Sequence, residues 1–102
     1  HNSMDYTVDI SRSSGVESYY FTDNSAHIAG IMTDKISAAT HRINRGYAYG
    51  YFYVLRTDIA PSVLNEYGFV VNPQEYAELY GDEDIYRAAF ATAMAVLDVI
   101  PE

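Results

Sequence analysis

The chain has 102 residues, 49% of them hydrophobic and 20% charged, a balance that supports one folded domain and excludes a disordered chain. Six Lys and Arg stand against 14 Asp and Glu, for a net charge of −8, which excludes nucleic acid and anionic membrane surfaces as main partners because both need a basic face. There is no cysteine, so disulfides, thiolate metal sites and Cys nucleophiles are excluded, and no apolar run approaches the ~20 residues that cross a bilayer.

His1-Asn2-Ser3-Met4 reads as a vector remnant, which leaves residues 5–102 as a single domain. Asp5 to Ile10 is short and β-branched, a candidate first strand, and Ser11 to Gly15 is turn-like. Val16 to Phe21 is a second strand candidate. Thr22, Asp23, Asn24 and Ser25 offer side-chain oxygens to the free amides of a helix start. The helix predicted from Ala26 to about Ile43 carries Ile28, Met32, Ile36, Ala39 and Ile43 on one face. Gly30 weakens it by roughly 1 kcal/mol relative to Ala unless something packs closely there. Arg42 and Arg45 fall in its last turn, where cations suit the helix dipole.

Gly46 to Asp58 is the longest strand-like run. Tyr47, Tyr49, Tyr51, Tyr53 and Leu55 share one face, and Ala48, Gly50, Phe52, Val54 and Arg56 the other. Both faces are largely apolar or aromatic, which predicts a central strand covered on both sides. Ala60 to Gly68 has Pro61 near its start and Gly68 at its end and is read as a short helical turn, followed by a brief strand at Phe69-Val70-Val71. Asn72 and Pro73 start a short helix that runs to Tyr80 and stops at Gly81. Asp82-Glu83-Asp84 opens a last, Ala-rich helix to about Val99, with a face of Ile85, Ala88 or Ala89, Thr92, Val96 and Val99. The expected fold class is α+β: a twisted antiparallel sheet with one long helix, short helices and a C-terminal Ala-rich helix.

The residues alone declare little chemistry. His27 and His41 lie fourteen apart on one predicted helix, too far to share an ion, so no metal is expected. The three acids from Asp82 to Asp84 are dipole partners at a helix start. No nucleophile elbow and no glycine-rich phosphate loop is present. Glu75 and Glu78 share a helical face, which acid–base work could use, but the pair is read as a solvated surface.

The run from Ser18 to Gly30, followed by Gly50 to Asp58, resembles the core of the ADP-ribosyltransferase toxins, the enterotoxin A chains and the pertussis toxin catalytic subunit. Tyr80-Gly81-Asp82 leading into the Ala-rich helix resembles the pertussis-type order. The resemblance implies an ADP-ribosyltransferase-like fold that clasps NAD and transfers ADP-ribose to a host protein. It also locates departures: the Arg of the first strand falls on Thr7 with Arg12 nearby, Thr22-Asp23-Asn24 replaces a Ser-Thr-Ser element, and the catalytic-acid positions fall within Ala91 to Val96, which holds no acid, in the pertussis-type register, or near Glu75 or Glu78 in the enterotoxin-type register. The expectation is therefore a secreted effector or toxin-related protein without transferase activity and without a cofactor. Thr22, Asp23 and Asn24 would mark a vestigial NAD cleft, and Tyr47, Tyr49, Tyr51 and Tyr53 would bind a host protein. A second reading is an active, NAD-using mono-ADP-ribosyltransferase that employs Arg12 with Glu75 or Glu78. A third is a generic α+β interaction or immunity-type module.

Overall fold

The computed structural model describes residues 13–57 and 59–100. Strand β1 (Val16–Tyr20) leads into helix α1 (Asp23–Thr40) and strand β2 (Asn44–Tyr49). A single 3-10 turn (Tyr53–Leu55), strand β3 (Val63–Glu66) and helices α2 (Pro73–Leu79) and α3 (Asp82–Val99) follow. Among the described residues β1 is the middle strand, with β2 parallel to it on one side and β3 antiparallel on the other. A parallel pair cannot be joined by a tight turn, and α1 supplies the crossover.

Alternation along β1 decides which way the sheet faces. Val16 and Ser18 are fully buried, and Val16 joins Met32 and Ile36 of α1 and Ala91 and Ala95 of α3 in one core cluster. Glu17 and Tyr19 therefore point to the face turned away from α1. Helix α1 packs on the sheet and α3 packs on α1. The buried residues of α3 are the alanines Ala88, Ala91 and Ala95, and Ala91 and Ala95 join Met32 and Ile36 of α1, their small side chains letting the helix axes approach closely. Because α1 is covered on two sides, its buried set is Ser25, Ala29, Met32, Thr33, Ile36 and Thr40, wider than the predicted apolar stripe. Thr33 and Thr40 are tolerated inside because each hydroxyl donates to a carbonyl one turn back.

Helix α1 stops at His41, which takes the left-handed conformation at φ 60°. The chain then turns Arg42 inward rather than leaving it in a last helical turn. Its side chain is 3% exposed and makes a two-pronged pair with Asp84 at 2.7 and 3.1 Å. Its Nε donates to the carbonyl of Tyr67 at 2.7 Å. This guanidinium ties the end of α1 to the start of α3 and to the segment leaving β3.

Four expectations are corrected. The sheet is mixed, not antiparallel, while the two helices of 18 residues, α1 and α3, are the long helix and the C-terminal Ala-rich helix expected. The tyrosine run is not a central strand. Among the described residues it is a six-residue edge strand whose pairing ends at Tyr49, after which Gly50 donates to Tyr20 and the chain breaks into the 3-10 turn. Gly50 sits beneath Phe52, so close that a Cβ there would fall 2.5 Å from its ring. The stretch from Ala60 to Gly68 holds β3 instead of a helical turn, because the free edge of β1 satisfies its backbone in a way a solvent-facing turn cannot. Phe69 to Val71 is a turn, with the Asn72 amide donating to the Phe69 carbonyl. The cap at Asn72 and the span of α3 are as expected: the Asn72 side chain accepts from the amides of Gln74 and Glu75. The candidate strand at Asp5 to Ile10 lies outside the described residues. No described helix is long and apolar enough to cross a membrane.

Candidate active site

The register between β1 and β3 places Glu17 directly opposite Glu66. Their neighbours show which way both point. Ser18 and Asn65 turn inward: the Ser18 hydroxyl donates to Asn65 at 2.7 Å, and Asn65 lies 3.6 Å from the Met32 sulfur of α1. The two glutamates therefore project together from the other face. Opposed residues on adjacent antiparallel strands have Cβ atoms about 4.5–5.5 Å apart, and like charges there repel. Two ionised carboxylates are thus disfavoured, and the pair resolves the conflict by holding a proton.

Which carboxyl holds it follows from the donors. Glu17 uses its oxygens as acceptors, from the Tyr19 hydroxyl at 3.0 Å and from Arg45 Nε at 3.2 Å. Arg45 is in turn stacked over the Phe69 ring, 4.8 Å from its centroid. Glu66 faces an acceptor-rich Glu17, and its pKa is pushed up from 4.5 to about 7. Burial is the largest cause, followed by the hydrogen bond to Glu17 and the Glu17 charge, while Arg45 pulls the other way. Tyr19 is raised to about 12 by burial, by its hydrogen bond to Glu17 and by the charges of Glu17 and Glu66, so it remains a hydroxyl donor. A carboxyl that titrates near neutrality can both take and return a proton under ordinary conditions.

The residues singled out from the sequence fall elsewhere. Arg12 lies outside the described residues. Glu75 is buried and accepts from the amides of Gly15 and Phe69 at 2.9 Å each, so it fastens two loops together and is not a solvated face. Glu78 lies 3.4 Å from Arg42 and accepts from Gln74. Thr22, Asp23 and Asn24 form the start of α1, with the Thr22 hydroxyl bonded to Asn24 at 2.6 Å and to Ser25 at 2.8 Å. Tyr47, Tyr49, Tyr51 and Tyr53 are all more than half exposed. Among the described residues no three His, Asp or Glu side chains gather as metal ligands. Glu17 and Glu66 were missed. Alternation could have placed Glu17 beside Tyr19, but Glu66 sat in a stretch read as helical, where no cross-strand partner exists.

The described residues thus form an α+β protein with a mixed sheet backed by helices on one face and a carboxyl raised toward neutrality on the other. Comparison with known proteins makes that class specific. Residues 1–98 match the family described as N-acetylmuramoyl-L-alanine amidase, and the chain belongs to it. It is 32% identical over 94 residues to an uncharacterized cell wall amidase of Bacillus anthracis, a match spanning 82% of this chain and 18% of that protein. Among solved structures, the catalytic domain of CwlV, an N-acetylmuramoyl-L-alanine amidase from Bacillus (Paenibacillus) polymyxa var. colistinus, is 33% identical with a TM-score of 0.83. That match covers 98% of this chain and 55% of that one. AmiC2, an amidase of Nostoc punctiforme, is 30% identical with a TM-score of 0.83, covering 95% and 52%. The chain thus spans about half the length of these solved amidases.

The family overturns the resemblance to ADP-ribosyltransferase toxins. With it go the toxin or effector reading, the host-protein partner, the active transferase and the generic interaction module. An aromatic strand next to a helix and an Ala-rich C-terminal helix carried that resemblance. Here the strand is a short edge and the alanines serve helix–helix contact, features that many α+β folds share.

Proposed function

We propose that this chain belongs to a cell-wall hydrolase that cleaves the amide between an N-acetylmuramoyl sugar and L-alanine in peptidoglycan, with Glu66 as its acid–base group. The observation that carries this reading is the elevation of Glu66 to about 7 beside Glu17. In the ionised form Glu66 takes a proton from water as the water oxygen bonds to the amide carbon. It then returns that proton to the amide nitrogen as the carbon–nitrogen bond breaks, leaving a carboxylic acid on the sugar's lactyl group and a free amine on alanine. Glu17, held by Arg45 and Tyr19, positions the group and keeps its proton affinity near the working pH. Such a substrate places the protein's action at the cell wall.

The test is release of new alanine amino termini from purified peptidoglycan. Glu66→Gln keeps the shape and removes the proton acceptor, and activity should fall by about 10²–10⁴-fold, the usual range for a general acid–base group. A variant that retains wild-type release removes Glu66 from the chemistry.

A further inference from the structure

Glu66 is the last residue of β3, and a strand end is where a ladder frays. Among the described residues β3 is four residues long and is paired on one side only, by β1. Such a strand does not by itself hold the carboxyl it carries to within the ~0.5 Å that a working site needs. The chain beyond Glu66 supplies the constraint. The Tyr67 carbonyl accepts from Arg42 Nε at 2.7 Å, and the Phe69 amide donates to Glu75 at 2.9 Å. Those two bonds hold backbone. A third holds a side chain: the Tyr67 hydroxyl lies 2.9 Å from the Thr92 hydroxyl of α3. Its direction follows from Thr92. A hydroxyl has one proton to give, and Thr92 gives its own to the Ala88 carbonyl one turn back, at 2.8 Å. Tyr67 is therefore the donor and Thr92 the acceptor.

Side chains alternate along an extended chain, so Glu66 and Tyr67 leave the backbone in opposite directions. Tyr67 goes to the helix side, where its ring packs against the core cluster that holds Ala91 and Ala95, while Glu66 goes to the side of Glu17. Anchoring one of two adjacent side chains fixes the peptide between them, and with it the direction of the other. Packing alone does not hold the tyrosine ring. Beside it lies an open cavity of about 290 Å³, lined by Leu79 of α2 and by Ile85, Ala88 and Ala89 of α3. A ring with that space on one flank has room to turn, and the bond to Thr92 selects one position. The same bond accounts for Thr92 itself. It lies half-buried beside Ala88, Ala91 and Ala95, on the stripe by which α3 packs, where a further alanine would serve packing equally well.

We propose that Tyr67 and Thr92 are positioning residues of the site: their hydroxyl pair ties the end of β3 to α3 and so holds Glu66 against Glu17. The role rests on Glu66 as the acid–base group of the reading above. Among the described residues the charged and titratable groups that face Glu66 are Glu17 and Tyr19 of β1 and Arg45 of β2. Tyr67 and Thr92 act on it through the backbone, not by charge.

The first measurement needs no substrate. In a carbon-13 carboxyl NMR titration the wild type should show Glu66 at about 7. Tyr67→Phe and Thr92→Val each remove one partner of the bond and keep the shape. Either should free the strand end, let water reach Glu66 and widen its gap to Glu17, so that its midpoint falls toward 4.5. Thr92→Ser keeps the acceptor and should titrate as the wild type does. The double variant should shift no further than either single one, because both remove the same bond. The second measurement is release of alanine amino termini from purified peptidoglycan. In Tyr67→Phe and Thr92→Val the rate at saturation should fall by about ten- to hundredfold, the larger figure being the cost of a 1 Å misplacement, with the half-saturating amount of polymer unchanged. A bond that serves stability alone would lower the melting temperature of these variants and leave the Glu66 midpoint and the saturated rate of the folded protein where they were. That result overturns the positioning role. A wild type that releases no amino termini would refute the amidase reading, and the midpoints would still decide whether the hydroxyl pair holds Glu66 in place.

Discussion

Glu66 should make the folded chain less stable as the solution approaches neutrality, and replacing it should remove that loss. A carboxyl whose folded pKa is raised binds its proton more tightly in the folded state. Its contribution is complete below the unfolded value of 4.5 and is lost as pH rises through about 7. At about 1.36 kcal/mol per pH unit, that span sets a ceiling of roughly 3.4 kcal/mol. Glu66 is only half-buried, so water screens much of this, and about 1–2 kcal/mol remains. Glu66→Gln has no charge to lose and can donate an amide hydrogen to Glu17. At pH 4 to 4.5 the two proteins should melt together. At pH 7.5 to 8 the variant should be the more stable by about 1–2 kcal/mol, which for a chain of this size is roughly 4–16 °C in Tm. Calorimetric melts of both proteins across pH 4 to 8 read the difference directly, and titrating groups remote from Glu66 cancel in it, which leaves Glu66 and its partner Glu17. A difference that does not change with pH, or one that favours the wild type at pH 8, refutes the assignment of the proton to Glu66.

Other substitutions probe the same structure. Glu17→Gln removes the neighbouring charge, so an NMR titration should find Glu66 lowered from about 7, but still above 4.5 because burial remains the larger cause. Arg42→Ala strands Asp84 and the Tyr67 carbonyl in a buried setting and should cost about 3–5 kcal/mol in urea denaturation. Glu75→Gln faces an amide NH₂ toward the backbone donors of Gly15 and Phe69 and should cost about 1–3 kcal/mol, while specific activity of the folded fraction stays unchanged. His41→Gly relieves a left-handed conformation that side chains disfavour and should raise stability by up to about 1 kcal/mol.

Helical signals survived the passage from sequence to structure better than strand signals did, for a physical reason. Helix α3 and the Asn72 cap are local events, written in caps, acids and spacing within a few residues. Strand β3 is not local. Val63 to Glu66 becomes a strand because β1 offers an open edge 40-odd residues earlier in the chain, and Pro61 and Gly68 punctuate a strand as readily as a helix. The candidate site inherits this difficulty. Glu17 and Glu66 become a pair only through the register, and a reading that looked for acids three or four apart on helices arrived at Glu75 and Glu78 instead. The tyrosine run was legible in its alternation and misread in its place. Period two indicates a strand but does not distinguish a central strand with two covered faces from an edge with exposed rings.

The arrangement of charge across the sheet is consistent with a site maintained at a cost. On the α1 side, polar groups are matched: Arg42 meets Asp84, Thr33 and Thr40 meet carbonyls, and Ser18 meets Asn65. On the other side two acids face each other across adjacent strands, an arrangement that Gln at either position would relax. If folding alone governed those positions, the carboxyl pair would be the first feature to disappear. It stands next to the fully buried Val16, in a sheet whose backing is otherwise well satisfied: a rigid support on one face, and on the other a proton that burial and Glu17 together hold more firmly than an exposed carboxyl would. Burial, the hydrogen bond to Glu17 and the Glu17 charge raise Glu66 to about 7, and Arg45 draws it back only in part, which leaves the group near neutrality and able to exchange its proton.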